Sequence, residues 1–293
     1  MASPWVEAAR PRTLPLALSS IFMGSFTAAA EGFFNPWVFG LACLTTIFLQ
    51  VLSNFANDYG DTQNGADLAG RIGPARAVQT GVITPQQMFR AIVLFAVLSL
   101  FAGIALLWIA FGSFTSPAFL QFLGLGVVCI IAAYTYTAGK NPYGYAGLGD
   151  ISVFLFFGLV GVIGSYYLYS QTLSLTSLLP ALSSGFFATG VLNINNIRDI
   201  DSDTRAGKKT IPARFGKQKA FVYHWFLLFG GMITALLYVF LQENTTYWFL
   251  LSYPLFLLNG YRVSTLENPD PMLKQLALST LIFTILFGIS LHL

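Results

Sequence analysis

Long apolar runs alternate with short polar segments along this chain. Nine runs contain about 20 mostly apolar residues, enough for a helix that rises about 1.5 Å per residue to cross about 30 Å of hydrocarbon. Their approximate limits are 13–30, 36–53, 88–111, 117–137, 151–169, 174–193, 220–241, 246–263 and 274–292. None alternates like a membrane β-strand, and backbone groups in lipid must be satisfied within a helix or a closed barrel. The pattern therefore predicts an all-α, polytopic integral membrane protein with nine transmembrane helices.

The composition supports a membrane protein. Only 9% of the 293 residues are charged, whereas soluble globular proteins carry about 25%. This deficit excludes a soluble enzyme, a disordered chain and a nucleic-acid-binding protein, because each needs a charged surface. Cys43 and Cys129 lie inside apolar runs and form neither a disulfide framework nor a metal-ligand spacing. We therefore expect one transmembrane domain over residues 1–293, surrounded by the lipid bilayer.

Basic residues are confined to alternate connections between the runs. The first, third, fifth and seventh connections contain no Lys or Arg, so all fifteen basic residues lie in the amino-terminal segment, the even-numbered connections and the adjoining ends of the runs. Cytoplasmic segments of membrane proteins carry the excess of Lys and Arg. We therefore expect the amino terminus and the even connections in the cytoplasm, the carboxyl terminus outside, and insertion in the inner membrane of the cell.

Six of the twelve acidic residues fall in two clusters on the predicted cytoplasmic side. The first cluster, NFANDYGDTQNGAD at 54–67, ends the second run, and the second, NINNIRDIDSD at 193–203, ends the sixth. Ionisable residues at membrane depth are costly and are usually functional. The alternative interpretations are helix capping and a solvated acidic patch.

The spacing within each cluster places polar side chains on one face if the helix continues past the apolar run, because residues three and four apart are neighbours on a helix. These residues are Asn54, Asp58 and Asp61 in the first cluster and Asn195, Asp199 and Asp203 in the second. Facing carboxylates need a cation, and oxygen ligands without His or Cys favour Mg²⁺, which bridges carboxylates to phosphate oxygens. We therefore expect a metal-bound diphosphate between the clusters, in a central cavity that opens to the cytoplasmic side.

Basic side chains adjoin both acidic clusters. Arg71 and Arg76 follow the first cluster, Arg198 lies within the second, and Lys208 comes shortly after it. Their positive charges suit a diphosphate leaving group. The alternative is that they are ordinary cytoplasmic basic residues with solvated partners.

Both clusters resemble the aspartate-rich motifs of the UbiA superfamily of intramembrane aromatic prenyltransferases, which read approximately NDxxDxxxD and DxxxDxxxG. They appear here as NDYGD at 57–61 and DIDSDTRAG at 199–207. The first motif departs from the general pattern at Gly65, and the next acid is Asp67. This variant, NDYxDxxxGxD, is similar to the branch that prenylates 1,4-dihydroxy-2-naphthoate in menaquinone biosynthesis. Segments that resemble the same branch lie at 9–17, 71–81, 141–150 and 195–210.

The resemblance implies a reaction, a cofactor and two kinds of substrate. Members of the superfamily use Mg²⁺ to bind a polyprenyl diphosphate, promote its ionisation to an allylic cation, and add that cation to an electron-rich aromatic acceptor. In the naphthoate branch the acceptor also loses its carboxylate, which gives demethylmenaquinol. The implied cofactor is Mg²⁺, with two ions bridging to the diphosphate.

The same resemblance assigns roles to individual residues. The implied metal ligands are Asn54, Asp58, Asp61, Asp199 and Asp203, of which the four aspartates are also the implied catalytic residues. The implied diphosphate-binding or substrate-binding residues are Asn57, Asp67, Arg71, Arg76, Asn195, Asn196, Arg198, Lys208, Tyr134 and Tyr143. Aromatic rings shield and stabilise a carbocation, and Tyr134, Tyr136, Tyr143 and Tyr145 lie near the predicted cytoplasmic ends of the fourth and fifth runs. These four tyrosines equally fit the aromatic belt of a membrane protein.

Two alternatives stay open at this stage. The first is an enzyme of the same superfamily whose acceptor is 4-hydroxybenzoate or homogentisate in place of the naphthoate. In another class of protein, the acids form the ion path of a divalent cation transporter, although they stand at one membrane face and the opposite face has almost no ionisable residue. No residue pattern reports the prenyl chain length or the oligomeric state.

Overall fold

The structure is a computed structural model that describes residues 3–65, 76–243 and 245–292. Within these ranges the chain forms α-helices with intervening 3-10 and π-helical turns, and no β-strand. The α-helices are α1 (Pro4–Ala9), α2 (Leu14–Ala30), α3 (Pro36–Gln63), α4 (Pro85–Phe111), α5 (Pro117–Thr135), α6 (Gly149–Val153), α7 (Gly164–Ser170), α8 (Leu178–Arg198), α9 (Ile200–Arg205), α10 (Ile211–Phe215), α11 (Lys217–Phe240), α12 (Tyr253–Thr265) and α13 (Asp270–His292). The prediction of an all-α chain is confirmed for the described residues.

Seven helical segments of the described chain are long and apolar enough to cross a membrane, as expected of an integral membrane protein. They are Pro4–Ala30, Pro36–Gln63, Pro85–Phe111, Pro117–Thr135, Gly144–Ser170, Lys217–Phe240 and Asp270–His292. The predicted runs at 174–193 and 246–263 correspond to α8 and to a 3-10 turn followed by α12, and neither is among the seven. Helix α12 has 13 residues, which rise only about 20 Å, and the Ser, Thr and Asn side chains of α8 lower its hydropathy.

Helices α3, α4 and α5 begin where proline follows a capping residue. Proline suits the first turn because it has no N–H to leave unpaired and its φ is already helical. The preceding residues Asn35, Thr84 and Ser116 each accept hydrogen bonds from backbone N–H groups of the first turn. Thr84 also forms a reciprocal capping box with Gln87. These local signals explain why the predicted starts of the runs agree with the observed helices.

Helix α3 continues ten residues beyond the predicted apolar run and carries residues 54–63 of the first acidic cluster on its last turns. Gly60 permits this path, since a Cβ there would lie 2.4 Å from the carbonyl oxygen of Thr137. Asn64 Nδ2 donates to the same carbonyl oxygen at 2.9 Å. The end of α3 is therefore fixed against the segment that follows α5.

The second acidic cluster does not lie on one continuous helix, which corrects the sequence prediction. Helix α8 ends at Arg198, Asp199 has φ −97° and ψ 14°, and α9 begins at Ile200. The N–H of Asp203 still donates to the carbonyl of Asp199 at 2.8 Å, so one helical turn spans the break. The break interrupts the regular helix at Asp199, and Asp203 stays one turn away.

The fifth predicted run is a composite helix that begins seven residues earlier than expected, at Gly144. It contains π-helical segments at Gly144–Leu148 and Phe154–Ile163. Gly147 has φ +88°, and a Cβ there would lie 2.7 Å from the carbonyl oxygen of Lys209. The N–H of Lys209 donates to the carbonyl of Tyr145 at 3.0 Å. The start of this helix is therefore held against the segment that follows the second acidic cluster.

Helix α8 lies in the centre of the second half of the fold, and most of its side chains are buried. Phe187 of α8 stacks on Phe256 of α12 with ring centroids 4.2 Å apart and meets Phe283 of α13 edge to face at 5.2 Å. Close packing of this kind leaves little freedom for rotation or sliding. The core thus fixes the end of α8 from which the second acidic cluster emerges.

Candidate active site

A cavity of about 390 Å³ lies between helices α2 to α5 and the composite helix. Polar side chains from α3 and from the segment after α5 line part of its wall, among them Asn54, Asn57 and Tyr136. Most of the remaining wall is apolar and includes residues such as Leu107 and Leu168. The cavity can therefore take a molecule with a polar head and a long apolar chain.

The structure brings the two acidic clusters together at Lys208. Its Nζ atom lies 2.8 Å from Oδ1 of Asp61 in the first cluster and 3.6 Å from Oδ1 of Asp203 in the second. All three side chains are largely buried. The two carboxylates are separated by 142 residues in sequence, and the ammonium group compensates their mutual repulsion.

Asp61 accepts hydrogen bonds from three side chains of the described chain. Its Oδ1 atom also accepts a hydrogen bond from the hydroxyl of Tyr145 at 2.9 Å, and its Oδ2 atom accepts one from Nη2 of Arg76 at 3.1 Å. Lys208 Nζ in turn lies 4.5 Å from the centre of the Tyr145 ring. Tyr145 is one of the four tyrosines that the sequence places near the site, but its contact with Asp61 was not predicted.

Asp58 binds the backbone at the start of the described segment that begins at residue 76. Its Oδ2 and Oδ1 atoms accept from the backbone N–H groups of Ala77 at 3.1 Å and Val78 at 3.2 Å. Arg76, the residue before them, reaches Asp61. Asp58 therefore helps to place a basic side chain in the site, and each of its oxygens keeps a further lone pair for another ligand.

Two predicted asparagines contact neighbouring segments. Asn54 Nδ2 donates to the carbonyl of Ala9 at 2.8 Å and to Oγ1 of Thr13 at 3.1 Å, which ties α3 to the amino-terminal turn. Asn57 Oδ1 accepts from Oγ1 of Thr137 at 3.0 Å. Both asparagines also line the cavity, so these contacts fix their side chains at its wall.

Arg198 and Asp199 form a buried pair in the second cluster. Arg198 Nε and Nη2 donate to Oδ1 and Oδ2 of Asp199 at 2.8 and 2.6 Å. Nη2 also donates to Oδ1 of Asn195 at 2.8 Å, and Nη1 donates to Asp270. Asn196 is buried in the adjoining turn. The predicted residues of this cluster are thus brought together, with Asp270 as an acid that the sequence reasoning missed.

The tyrosines after α5 take different positions. Tyr136 and Tyr143 line the cavity, and their rings meet nearly edge to face at 5.4 Å. The hydroxyl of Tyr143 donates to the carbonyl of Ala132 at 3.0 Å and lies 3.1 Å from Oγ of Ser152. Tyr134 instead packs against an apolar cluster formed by α1, α3 and α4. Of the tyrosines predicted for the aromatic wall, Tyr136 and Tyr143 thus line the cavity and Tyr134 does not.

Burial changes the acidity of the second cluster. It raises the pKa of Asp203 to about 6, and the nearby ammonium of Lys208 limits that rise. A carboxyl with this pKa loses its proton more readily when a cation binds beside it. Asp67 and Arg71, which were also predicted as site residues, lie outside the described residues.

The donor chemistry of the site fits Mg²⁺. In the described part of the chain, no three His, Cys, Asp or Glu side chains are grouped closely enough to hold a metal ion. Mg²⁺ does not require such a group, because it takes one or two carboxylates and completes its shell with water and phosphate oxygens. Asp61 and Asp203, joined through Lys208, offer such a pair beside cations that can bind phosphate.

The chain is similar over most of its length to bacterial proteins of one name, 1,4-dihydroxy-2-naphthoate octaprenyltransferase. It is 45% identical over 298 residues to that of Haemophilus influenzae, which covers 98% of this chain and 95% of that protein. It is 45% identical over 294 residues to that of Escherichia coli K12, with 99% and 95% covered. For that of Mycobacterium tuberculosis the identity is 36% over 234 residues, with 80% and 77% covered.

Solved archaeal structures share the fold. A UbiA homologue from Archaeoglobus fulgidus bound to DMAPP and Mg²⁺ has a TM-score of 0.64 at 18% identity, with 99% of each chain covered. The apo structure of a UbiA homologue from Aeropyrum pernix K1 has a TM-score of 0.68 at 16% identity, with 94% of this chain and 96% of that chain covered. In sequence, the family profile described as UbiA prenyltransferase matches residues 17–287. Because this match spans most of the chain and agrees with the close relatives and the fold, the chain belongs to the UbiA prenyltransferase family.

Proposed function

We propose that this protein transfers a polyprenyl group from a polyprenyl diphosphate to 1,4-dihydroxy-2-naphthoate with loss of the acceptor carboxylate, giving demethylmenaquinol for menaquinone biosynthesis. The 45% identity over nearly the whole chain to two octaprenyltransferases named for this acceptor supports the choice over 4-hydroxybenzoate and homogentisate. Membership of a prenyltransferase family argues against the alternative hypothesis of a cation transporter.

The observation that carries the proposal is the contact of Lys208 with carboxylates of both acidic clusters. Mg²⁺, as two ions, would be held by Asn54, Asp58, Asp61, Asp199 and Asp203. When bound, it supplies positive charge that favours departure of the diphosphate. Archaeal UbiA homologues of the same fold have been solved with Mg²⁺ and DMAPP or GPP, which supports the use of Mg²⁺ with a prenyl diphosphate.

The protein's own side chains bind and orient both substrates. Arg76 and Lys208, with Arg71, bind the diphosphate oxygens or the acceptor carboxylate by charge-assisted hydrogen bonds. Arg198 was predicted to do the same, but its guanidinium nitrogens bind Asp199, Asn195 and Asp270, so it supports Asp199 instead. Asn57, Asp67, Asn195 and Asn196 support these groups.

The cavity accommodates the prenyl chain and protects the allylic cation. Its largely apolar wall excludes water from the reacting carbon. Tyr136 and Tyr143 present aromatic rings to the same space, where their π faces favour positive charge. The aromatic acceptor would enter beside these rings and receive the prenyl carbon before it loses its carboxylate.

The proposal includes a topology. Helix α8 and the segment from Trp248 to Thr265 complete nine spans within one domain over residues 1–293. The amino terminus and the polar end of the cavity face the cytoplasm, and the carboxyl terminus lies outside the inner membrane. The confinement of all fifteen basic residues to alternate connections supports this orientation.

Product formation by the purified protein in detergent or liposomes tests the proposal. The assay supplies an octaprenyl or shorter prenyl diphosphate with Mg²⁺ and, in turn, 1,4-dihydroxy-2-naphthoate, 4-hydroxybenzoate and homogentisate. We expect a prenylated, decarboxylated naphthoquinol that EDTA abolishes. Product from another acceptor alone would contradict the assigned acceptor, and undiminished product in EDTA would contradict the metal.

A matched pair of variants separates the site from general charge effects. Asp203→Asn removes a carboxylate beside Lys208, and we expect turnover to fall about a hundredfold or more. Asp201→Asn makes the same chemical change at an exposed position two residues away, and its turnover should stay near that of the native protein. Equal activity of both variants would remove Asp203 from the site.

A further inference from the structure

Asp270, the first residue of α13, joins two segments that are distant in sequence. One of its oxygens accepts a hydrogen bond from Nη1 of Arg198 at the end of α8, and the other accepts one from Nη1 of Arg12 at 3.2 Å. Its side chain is 23% exposed, so water screens these contacts only in part. Neither acidic motif of the sequence contains Asp270.

Arg198 has a fixed orientation because each of its three guanidinium nitrogens donates at least one hydrogen bond. Two nitrogens bind Asp199, one of these also binds Asn195, and the third binds Asp270. The Arg198 side chain is only 1% exposed. A planar guanidinium held at all three nitrogens in turn fixes the plane of the carboxylate that it binds through two of them, which is that of Asp199.

Arg12 brings the amino-terminal turn into the same network. Thr13, its neighbour, is bound by Asn54 of the first acidic cluster at 3.1 Å. Arg10, at the start of the turn, has φ +48°, a conformation that residues other than glycine rarely adopt. A chain of contacts therefore connects the first acidic cluster to Asp199, separately from the contact through Lys208. It runs from Asn54 through the amino-terminal turn and Asp270 to Arg198.

We infer that Asp270 is a positioning residue that holds Arg198 in place, so that Asp199 presents its carboxylate to the metal-bound diphosphate. The inference rests on the proposed function of Asp199. Arg12, Arg198, Asp199 and Asp270 together carry no net charge. Without the Asp270 carboxylate, the buried guanidinium of Arg198 keeps Asp199 as its sole carboxylate partner in this network and competes for it with the metal.

Metal binding can be measured without turnover. Isothermal titration of the full-length protein with Mg²⁺ in the presence of inorganic diphosphate gives the affinity directly. We expect Asp270→Asn to weaken Mg²⁺ binding about tenfold or more, the usual scale for residues that orient a metal ligand. In the prenyl-transfer assay, the Mg²⁺ concentration for half-maximal rate should rise more than the rate at saturating Mg²⁺ falls. Asp270→Glu, which keeps the carboxylate, should restore part of the affinity.

Two further variants make the test specific. Glu267→Gln removes one negative charge from an exposed position three residues before Asp270 and should leave Mg²⁺ affinity unchanged. Arg12→Gln changes the other partner of Asp270, whose side chain is 27% exposed. This variant should also weaken Mg²⁺ binding, and it provides a test even if Asp270→Asn does not fold. The double variant of Arg12 and Asp270 should bind no more weakly than the single Asp270 variant.

The outcomes distinguish this inference from the proposed function. If the native protein binds no Mg²⁺ with diphosphate, the proposed function of the acidic clusters fails. If the native protein binds Mg²⁺ and the variants at Asp270 and Arg12 bind it equally well, the positioning function of Asp270 fails alone. Equal weakening by Glu267→Gln would attribute the effect to overall charge and would also overturn the inference.

Discussion

Lys208 is a single residue that occupies the space between two carboxylates. In the absence of a metal its ammonium group neutralises part of the charge of Asp61 and Asp203. The same group is positioned to bind an oxygen of a diphosphate. Lys208 therefore competes with a metal ion for the two carboxylates, and it helps to bind the diphosphate of the substrate.

Replacing Lys208 with Gln should have opposite effects on two affinities. Mg²⁺ alone should bind about tenfold more tightly, because a competing cation has left the carboxylates, and prenyl diphosphate should bind about tenfold more weakly, since each such change corresponds to about 1.4 kcal/mol. Titration of each ligand separately measures both. Lys219→Gln, an exposed lysine that contacts the ring of Phe215, is the matched control. A parallel loss of both affinities would contradict this assignment.

The sequence predicts the main acids of the site because residue spacing on a helix is regular and carboxylates are rare in this chain. It does not predict what the acids contact. Asp58 accepts hydrogen bonds from the backbone of Ala77 and Val78, and residue spacing does not reveal this contact between separate segments. Asp270 lies 72 residues from Arg198 and 258 residues from Arg12, so only the folded chain reveals that pairing.

At the scale of elements, the site depends on close approaches between helix ends and connecting segments. The end of α3 lies against the chain after α5 at Gly60, and the start of the composite helix lies against Lys209 at Gly147. Both contacts occur where a side chain would collide with a backbone carbonyl. Small residues at these points therefore determine how the elements that carry the site fit together.

Gly60→Ala should destabilise the protein by about 2 kcal/mol or more, because its Cβ would overlap the Thr137 carbonyl at 2.4 Å. Thermal unfolding in detergent measures the change. Gly124→Ala is the control: Gly124 lies in α5, with nothing within 4 Å of the added Cβ, and alanine favours a helix by up to about 1 kcal/mol. Equal unfolding temperatures for the two variants would contradict the close approach at Gly60.

Gly147→Ala tests the contact between the composite helix and the second acidic cluster. Gly147 and Gly139 both have a positive φ, but only at Gly147 does an added Cβ meet another segment, at 2.7 Å from Lys209. Gly139→Ala should therefore show the cost of backbone strain alone, about 1 kcal/mol. Gly147→Ala should in addition raise the KM for prenyl diphosphate, because it displaces Lys208. Matching KM values in the two variants would argue against this coupling.

The positions of the helices could be predicted largely from hydropathy, because lipid demands long apolar segments with satisfied backbones. The structure departs from that prediction where polar sequence remains helical. Helix α3 continues to Gln63 because its polar last turns are buried against other segments. The break at Asp199 and the early start at Gly144 have the same origin, since contacts with distant segments override local hydropathy at these points.

At the scale of the whole molecule, the segment from Trp248 to Thr265 decides the topology. It joins α11 to α13 and contains a 3-10 turn followed by α12. If it crosses the membrane, the exposed residues Glu243 and Glu267 lie on opposite sides. If it does not cross, both residues lie on the same side.

Single cysteines at Glu243 and Glu267, in a chain with Cys43 and Cys129 replaced by Ala, can be labelled with a membrane-impermeant thiol reagent. We expect Glu243→Cys to react in right-side-out vesicles and Glu267→Cys to react only in inverted vesicles, because the basic residues place the latter connection in the cytoplasm. Labelling in detergent confirms that both thiols are accessible. Reaction of both from one side would show that this segment does not span the bilayer.

The pairing of charges in the site affects how metal and substrate bind. Asp61 and Asp203 contact two cations, Lys208 and Arg76. These four groups carry two positive and two negative charges when ionised, so the two carboxylates do not depend on a divalent ion to offset their mutual repulsion. A dication that entered this set alone would create an excess of positive charge in a poorly solvated place, and a bare diphosphate would create the opposite excess. The two are therefore admitted most readily as a complex, and metal and substrate should bind with strong mutual cooperativity.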